Sequence, residues 1–147
     1  MTEVAFHFNA PDKLGYACRL LRKAFNANAK VVVLANGSDL ATLDAQLWTF
    51  SALEFVPHCH VQAPSEQLMA SPIVLTSSLE NASHLPHHQV LVNLDMNMPI
   101  GFEKFERVVE VVTLDEEERQ QARRRWKYYA DRGYPIVRHD LALKESA

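Results

Sequence analysis

The chain has 147 residues, 48% apolar and 22% charged, an ordinary globular composition whose length suits one domain over residues 1–147. A net charge of −3 and a pI near 6.1 exclude a protein that coats nucleic acid by bulk charge. No run of 18 apolar residues is present to cross a membrane. Met1-Thr2-Glu3-Val4-Ala5-Phe6 also lacks the regions of a signal peptide, so a cytoplasmic location is expected. In that setting Cys18 and Cys59 read as buried thiols rather than a disulfide.

Residues 4–9 alternate in polarity and read as a strand. Asn9, Pro11 and Asp12 interrupt it and supply a capping side chain and a first-turn proline for a helix. From Leu14, apolar positions recur at Ala17, Cys18, Leu21, Ala24 and Phe25, one amphipathic stripe with Arg19, Arg22 and Lys23 on its solvated side. Val31-Val32-Val33-Leu34-Ala35 has no alternation, as in a strand covered on both faces. Asn36-Gly37-Ser38 then turns into a second helix, with Ser38 as its expected cap and Leu40, Leu43, Leu47 and Trp48 as its stripe. Residues 51–71 show no sustained period. Ile73–Thr76, Val90–Leu94 and Val108–Val112 read as further strands, with a short helix or turn over 100–105 and a polar stretch over 77–88. A closing helix over about 114–132 is ended by Gly133, and a tail of weak strand character follows. Strands alternating with helices make this an α/β chain with a mostly parallel sheet.

Four glycines, at 15, 37, 101 and 133, are too far apart to write GxGxxG or a P-loop, so no nucleotide cofactor is expected. His58-Cys59-His60 and His84, His87, His88 cluster in sequence, but Pro86 breaks the helix that would align His84 with His88. They lack the paired spacings of a zinc site and read as surface loop histidines, so no metal is expected. No serine sits in a nucleophile elbow, and Cys59 with its adjacent histidines has proximity only in sequence; no catalytic residue is assigned.

The closing helix is more specific. Thr113 and Glu116 have the spacing of a capping box, and Asp115 to Glu118 crowd the first turn. The sign then reverses: Arg119, Arg123, Arg124, Arg125 and Lys127 carry five cations beside an aromatic ledge of Trp126 and Tyr129. Three uses fit this strip: a solvated helix face, phosphate contacts with base stacking on Trp126, or an acidic peptide gripped by arginines beside Trp126. The acidic overall charge disfavours a long polyanion, whereas a short acidic segment needs only a local patch.

The series Ala5-Phe6-His7-Phe8, Asp44-Ala45-Gln46-Leu47-Trp48, Phe55-Val56-Pro57-His58, Val90-Leu91-Val92-Asn93-Leu94, Val108-Val109-Glu110-Val111-Val112 and Ala122-Arg123-Arg124-Arg125-Trp126-Lys127-Tyr128-Tyr129 resembles the chi subunit family of the bacterial DNA polymerase III clamp-loader complex. Only 61–88 matches poorly. The resemblance implies a Rossmann-like α/β fold without nucleotide-binding glycines and a non-catalytic adaptor. It implies two partners: the psi subunit, which connects to the clamp loader, and the acidic C-terminal tail of single-stranded DNA-binding protein, ending in Pro-Phe. By alignment the tail would meet Arg119, Arg123 and Trp126, with Val112 lining the pocket and Lys127 steering upstream acids. Arg119 stands where the family has lysine and Trp126 where it has tyrosine. The psi contact would fall on Phe55 and Pro57, with Trp48 nearby. The alternative is direct single-stranded nucleic-acid binding through the same helix.

Overall fold

Strands without polar alternation need apolar cover on both faces, and the chain supplies it. The computed structural model describes residues 2–49, 56–80 and 85–142. Its strands are β1 (Glu3–Ala10), β2 (Val31–Leu34), β3 (Cys59–His60), β4 (Ile73–Thr76), β5 (Val90–Asn93), β6 (Arg107–Thr113) and β7 (Ile136–Asp140). They form one sheet of seven parallel strands, ordered β3-β4-β2-β5-β6-β1-β7, and its helices are α1 (Lys13–Asn26), α2 (Gly37–Thr49), α3 (Ser65–Ala70) and α4 (Glu116–Asp131). This is a Rossmann-like α/β architecture.

The core divides by residue parity, as the pleat requires. Val31, Val33, Ile73, Leu75, Val92, Val109 and Val111 pack with Ala17, Cys18 and Leu21 of α1 and Leu40, Leu43 and Leu47 of α2. Val32, Leu34, Val74, Leu91, Val108 and Val112 pack on the other face with Phe6 and with Ala122 and Tyr129 of α4.

Several local expectations are corrected. Asn36, not Ser38, caps α2: its side-chain oxygen accepts the Asp39 N–H at 2.8 Å. Asp12 occupies the cap position of α1, but its side chain makes no capping bond, and Pro11 lies before the first turn. At α4 the cap is Asp115, accepting the Glu118 N–H at 3.0 Å. Thr113 sits two residues before the cap position that a capping box requires; its hydroxyl donates to Glu118 Oε2 and accepts the Asp115 N–H. The aperiodic stretch holds β3 and α3, which are too short to show a period. The tail is an edge strand, β7, paired with β1.

The far end of α4 follows the sequence reading. Gly133 adopts φ 77° just beyond the helix. The Gly133 N–H bonds to the Ala130 carbonyl and the Tyr134 N–H to the Tyr129 carbonyl, both at 3.1 Å. This is a Schellman closure, and the Tyr134 ring packs on Tyr129. It turns the chain sharply back so that β7 can lie beside β1.

Candidate functional site

Between α4 and the β6–β1–β7 end of the sheet runs an open groove of about 440 Å³. Its floor is Phe6, Val112 and Ala122, all buried. Trp126 forms one side, with its ring tilted on Phe6 at a centroid distance of 5.0 Å, and Phe8 continues the apolar lining. Arg119 and Arg123 line it from α4 and Arg138 from β7. Arg123 lies 3.8 Å from Glu116, with both side chains about two-thirds exposed, so the pairing leaves the guanidinium available. An apolar slot edged by three guanidinium groups can take an apolar side chain together with carboxylates. Arg119, Arg123, Trp126 and Val112 are therefore brought together. Lys127 is exposed and lies outside the lining.

The helix that presents these groups is held by a polar network in the core. Glu110, at 0% exposure on β6, accepts from Arg125 Nε at 3.0 Å and Asn93 Nδ2 at 2.9 Å through one oxygen. Through the other it accepts from the Tyr129 hydroxyl at 2.8 Å. Arg125 also donates to the Met96 carbonyl at 2.6 Å, and Asn93 Oδ1 accepts the Asp95 N–H. Burial pushes the Glu110 carboxyl above its ordinary range, while Arg125, Tyr129 and Asn93 pull it back. Burial, then the neighbouring Glu110, pushes the Tyr129 phenol upward, which keeps it a donor. Because the network fixes the rotation of α4 on β6, Ala122 and Tyr129 face inward and Trp126 leans over Phe6.

A second surface lies elsewhere. Trp48 is 60% exposed, although it ends the apolar stripe of α2, where a core position is the simpler expectation. The stripe is already closed by the buried Leu40, Leu43 and Leu47. The Trp48 ring stands edge-on to His58 at 5.7 Å, and Pro57 beside it is half-buried. Phe55 lies outside the described residues.

Residues 1–137 match the sequence family described as DNA polymerase III chi subunit, HolC. The chain belongs to the DNA polymerase III chi subunit family. This family is an accessory subunit of DNA polymerase III in DNA replication, not a catalytic one. The chain is 30% identical over 146 residues to the DNA polymerase III subunit chi of Pseudomonas aeruginosa, across 96% of this chain and 98% of the relative. It is 26% identical over 121 residues to that of Haemophilus influenzae, across 82% and 81%. Among solved structures, the C-terminal domain of the DEAD-box protein Dbp5 superposes with a TM-score of 0.58 at 11% identity, covering 97% of this chain and 91% of that one. A Saccharomyces cerevisiae Dbp5 C-terminal domain gives 0.58 at 13%, covering 95% and 90%. At that identity the likeness is one of fold.

Other expectations fare differently. Arg125 counts among the solvated cations in sequence but is buried on Glu110, and Tyr129 is core rather than ledge. His58 is not a surface histidine: it is buried, with Nδ1 2.7 Å from the Val56 carbonyl and Nε2 2.8 Å from Asp44. His87 is half-buried; its Nε2 lies 3.2 Å from the Ser71 carbonyl, and burial lowers its pKa. Cys18 and Cys59 are free buried thiols. No helix among the described residues is long and apolar enough to cross a membrane. Sequence reasoning missed Phe6, Phe8 and Arg138 as groove residues. Phe6 and Phe8 share parity on β1, a usable signal, whereas Arg138 is placed only by the β1–β7 pairing.

Proposed function

We propose that the chain is an adaptor that links the clamp loader, through the psi subunit, to the acidic C-terminal tail of single-stranded DNA-binding protein. The observation that carries this reading is the groove: an apolar slot over Phe6, Val112 and Ala122, walled by Trp126 and edged by cations. A tail ending in Pro-Phe with a free carboxylate fits it chemically. Its phenylalanine would lie against Trp126 and its carboxylate would take the planar fork of Arg123. Arg119 would add a second charge-assisted contact, and Lys127, outside the slot, would steer acids upstream by long-range attraction. The exposed Trp48 with Pro57, and Phe55 by alignment, is assigned to the psi subunit, since a large exposed aromatic is a natural interface anchor.

Fluorescence anisotropy of a labelled acidic peptide ending in Asp-Ile-Pro-Phe tests the tail site. Wild type should bind, and Arg123→Ala should weaken binding about 10- to 100-fold, the size of one lost charged hydrogen-bond set. Removing the last phenylalanine or amidating its carboxylate should do the same. A wild type that ignores the peptide and binds bare single-stranded oligonucleotide would replace the adaptor by direct nucleic-acid binding.

A further inference from the structure

Arg138 has no part in the reading of α4, yet it faces α4 across the groove. It pairs in register with Phe6 on β1, which places it on the same face of the sheet as Phe6 and Phe8. Its guanidinium carbon lies 5.3 Å from the Phe8 ring centroid and 5.7 Å from that of Trp126. Cation–π attraction of this kind consumes none of a guanidinium's five N–H donors, which remain for a carboxylate. None of the ion pairs among the described residues involves Arg138. Asp140, two residues further along the same face, is engaged by Asn9 Nδ2 at 2.9 Å and the Ala142 N–H at 3.0 Å.

The groove therefore has cations on two opposed walls, Arg119 and Arg123 on α4 and Arg138 on the edge strand β7, with the apolar floor between them. A ligand carrying one anion would satisfy one wall only. We propose that Arg138 takes an acidic side chain of the bound segment while the α4 arginines take its terminal carboxylate, so that the site reads an apolar residue held between two anions. This rests on the tail-binding reading above and adds to it a second subsite, with Phe8 and Trp126 as its platform. The aromatic platform fixes the guanidinium before binding, which lowers the ordering cost of the contact.

The test is a double-mutant cycle across the interface, read by anisotropy with the full chain. The probes are the acidic peptide ending in Asp-Ile-Pro-Phe, the same peptide with that aspartate changed to asparagine, and the C-terminal amide. Arg138→Gln should weaken the parent peptide about tenfold, and Arg138→Lys, which keeps the charge without the plane, by less. The asparagine peptide should lose about tenfold on wild type yet bind Arg138→Gln no worse than the parent does. The amide should lose equally in both backgrounds. Arg138→Gln binding like wild type, or aspartate and Arg138 losses that simply add, overturns the second subsite alone. Wild type failing to bind the parent peptide overturns the tail-binding reading and this one with it. Because Arg138 is exposed, the fold should survive both substitutions, which circular dichroism confirms.

Discussion

Replacing Arg125 by leucine leaves Glu110 at the centre of the sheet with only Asn93 and Tyr129 as donors. A fully buried carboxylate without its counter-charge relieves the cost by taking up a proton. For a glutamate of ordinary pKa 4.5 that proton costs about 3.4 kcal/mol at pH 7 and about 0.8 kcal/mol at pH 5. The larger figure falls within the range expected when one member of a buried pair is removed. The sign follows from the direction of the shift. In the variant the folded pKa rises further above the unfolded one, so stability is intact below the unfolded value and is lost as the pH climbs toward the folded value. Urea unfolding of wild type and Arg125→Leu at pH 5, 6 and 7 should therefore show a gap that widens with pH, by up to about 2.6 kcal/mol. The double variant Glu110→Gln/Arg125→Leu should remove the widening. A gap that stays constant, or narrows as the pH rises, would refute the assignment of Glu110 as the stranded charge.

Other consequences can be checked more simply. Gly133→Ala places a side chain at φ 77° with no atom near its Cβ, so strain alone should cost about 1 kcal/mol, a fall of about 3 °C in Tm. Gly37→Ala, equally unobstructed but at the start of α2, should leave Tm unchanged or raise it. The Cys18 thiol, buried and pushed up to about 11, first by burial and then by Asp12, should resist alkylation at pH 8 until the chain is unfolded. Rapid labelling of the native chain at that residue would contradict its placement. Trp48→Ala should leave the unfolding transition within about 0.5 kcal/mol of wild type, as expected for an exposed side chain; a larger loss would place Trp48 in the core.

The sheet was legible wherever a strand is buried on both faces, because residues 31–34, 73–75 and 90–92 are uninterrupted apolar runs. The two-residue β3 and six-residue α3 are shorter than any period that could reveal them. Cap positions slipped by two residues because serine, threonine, asparagine and aspartate all cap, and only backbone geometry selects among neighbours. The α4 half of the groove was legible as helical spacing. Arg125 was not distinguishable from Arg123 and Arg124, since helical position alone does not say that a carboxylate waits beneath one of three adjacent arginines. Glu110 was the available signal: one charge inside Val108–Val112 has to find a partner in the core. Arg138 depends on a strand pairing between the two ends of the chain, which no local pattern encodes.

That pairing also governs when the groove can exist. Both edges of β1 are filled late: Glu3 pairs with Arg107, and Val4 with Ile136. During synthesis the N-terminal strand therefore emerges long before either neighbour, while β2, β4 and β5 can already associate. The groove, built from β1, β6, α4 and β7, is among the last parts of the chain to assemble. Nascent chains truncated before β7 should hold the β4–β2–β5 half of the sheet yet lack the groove, so its presence reports that synthesis has passed β7.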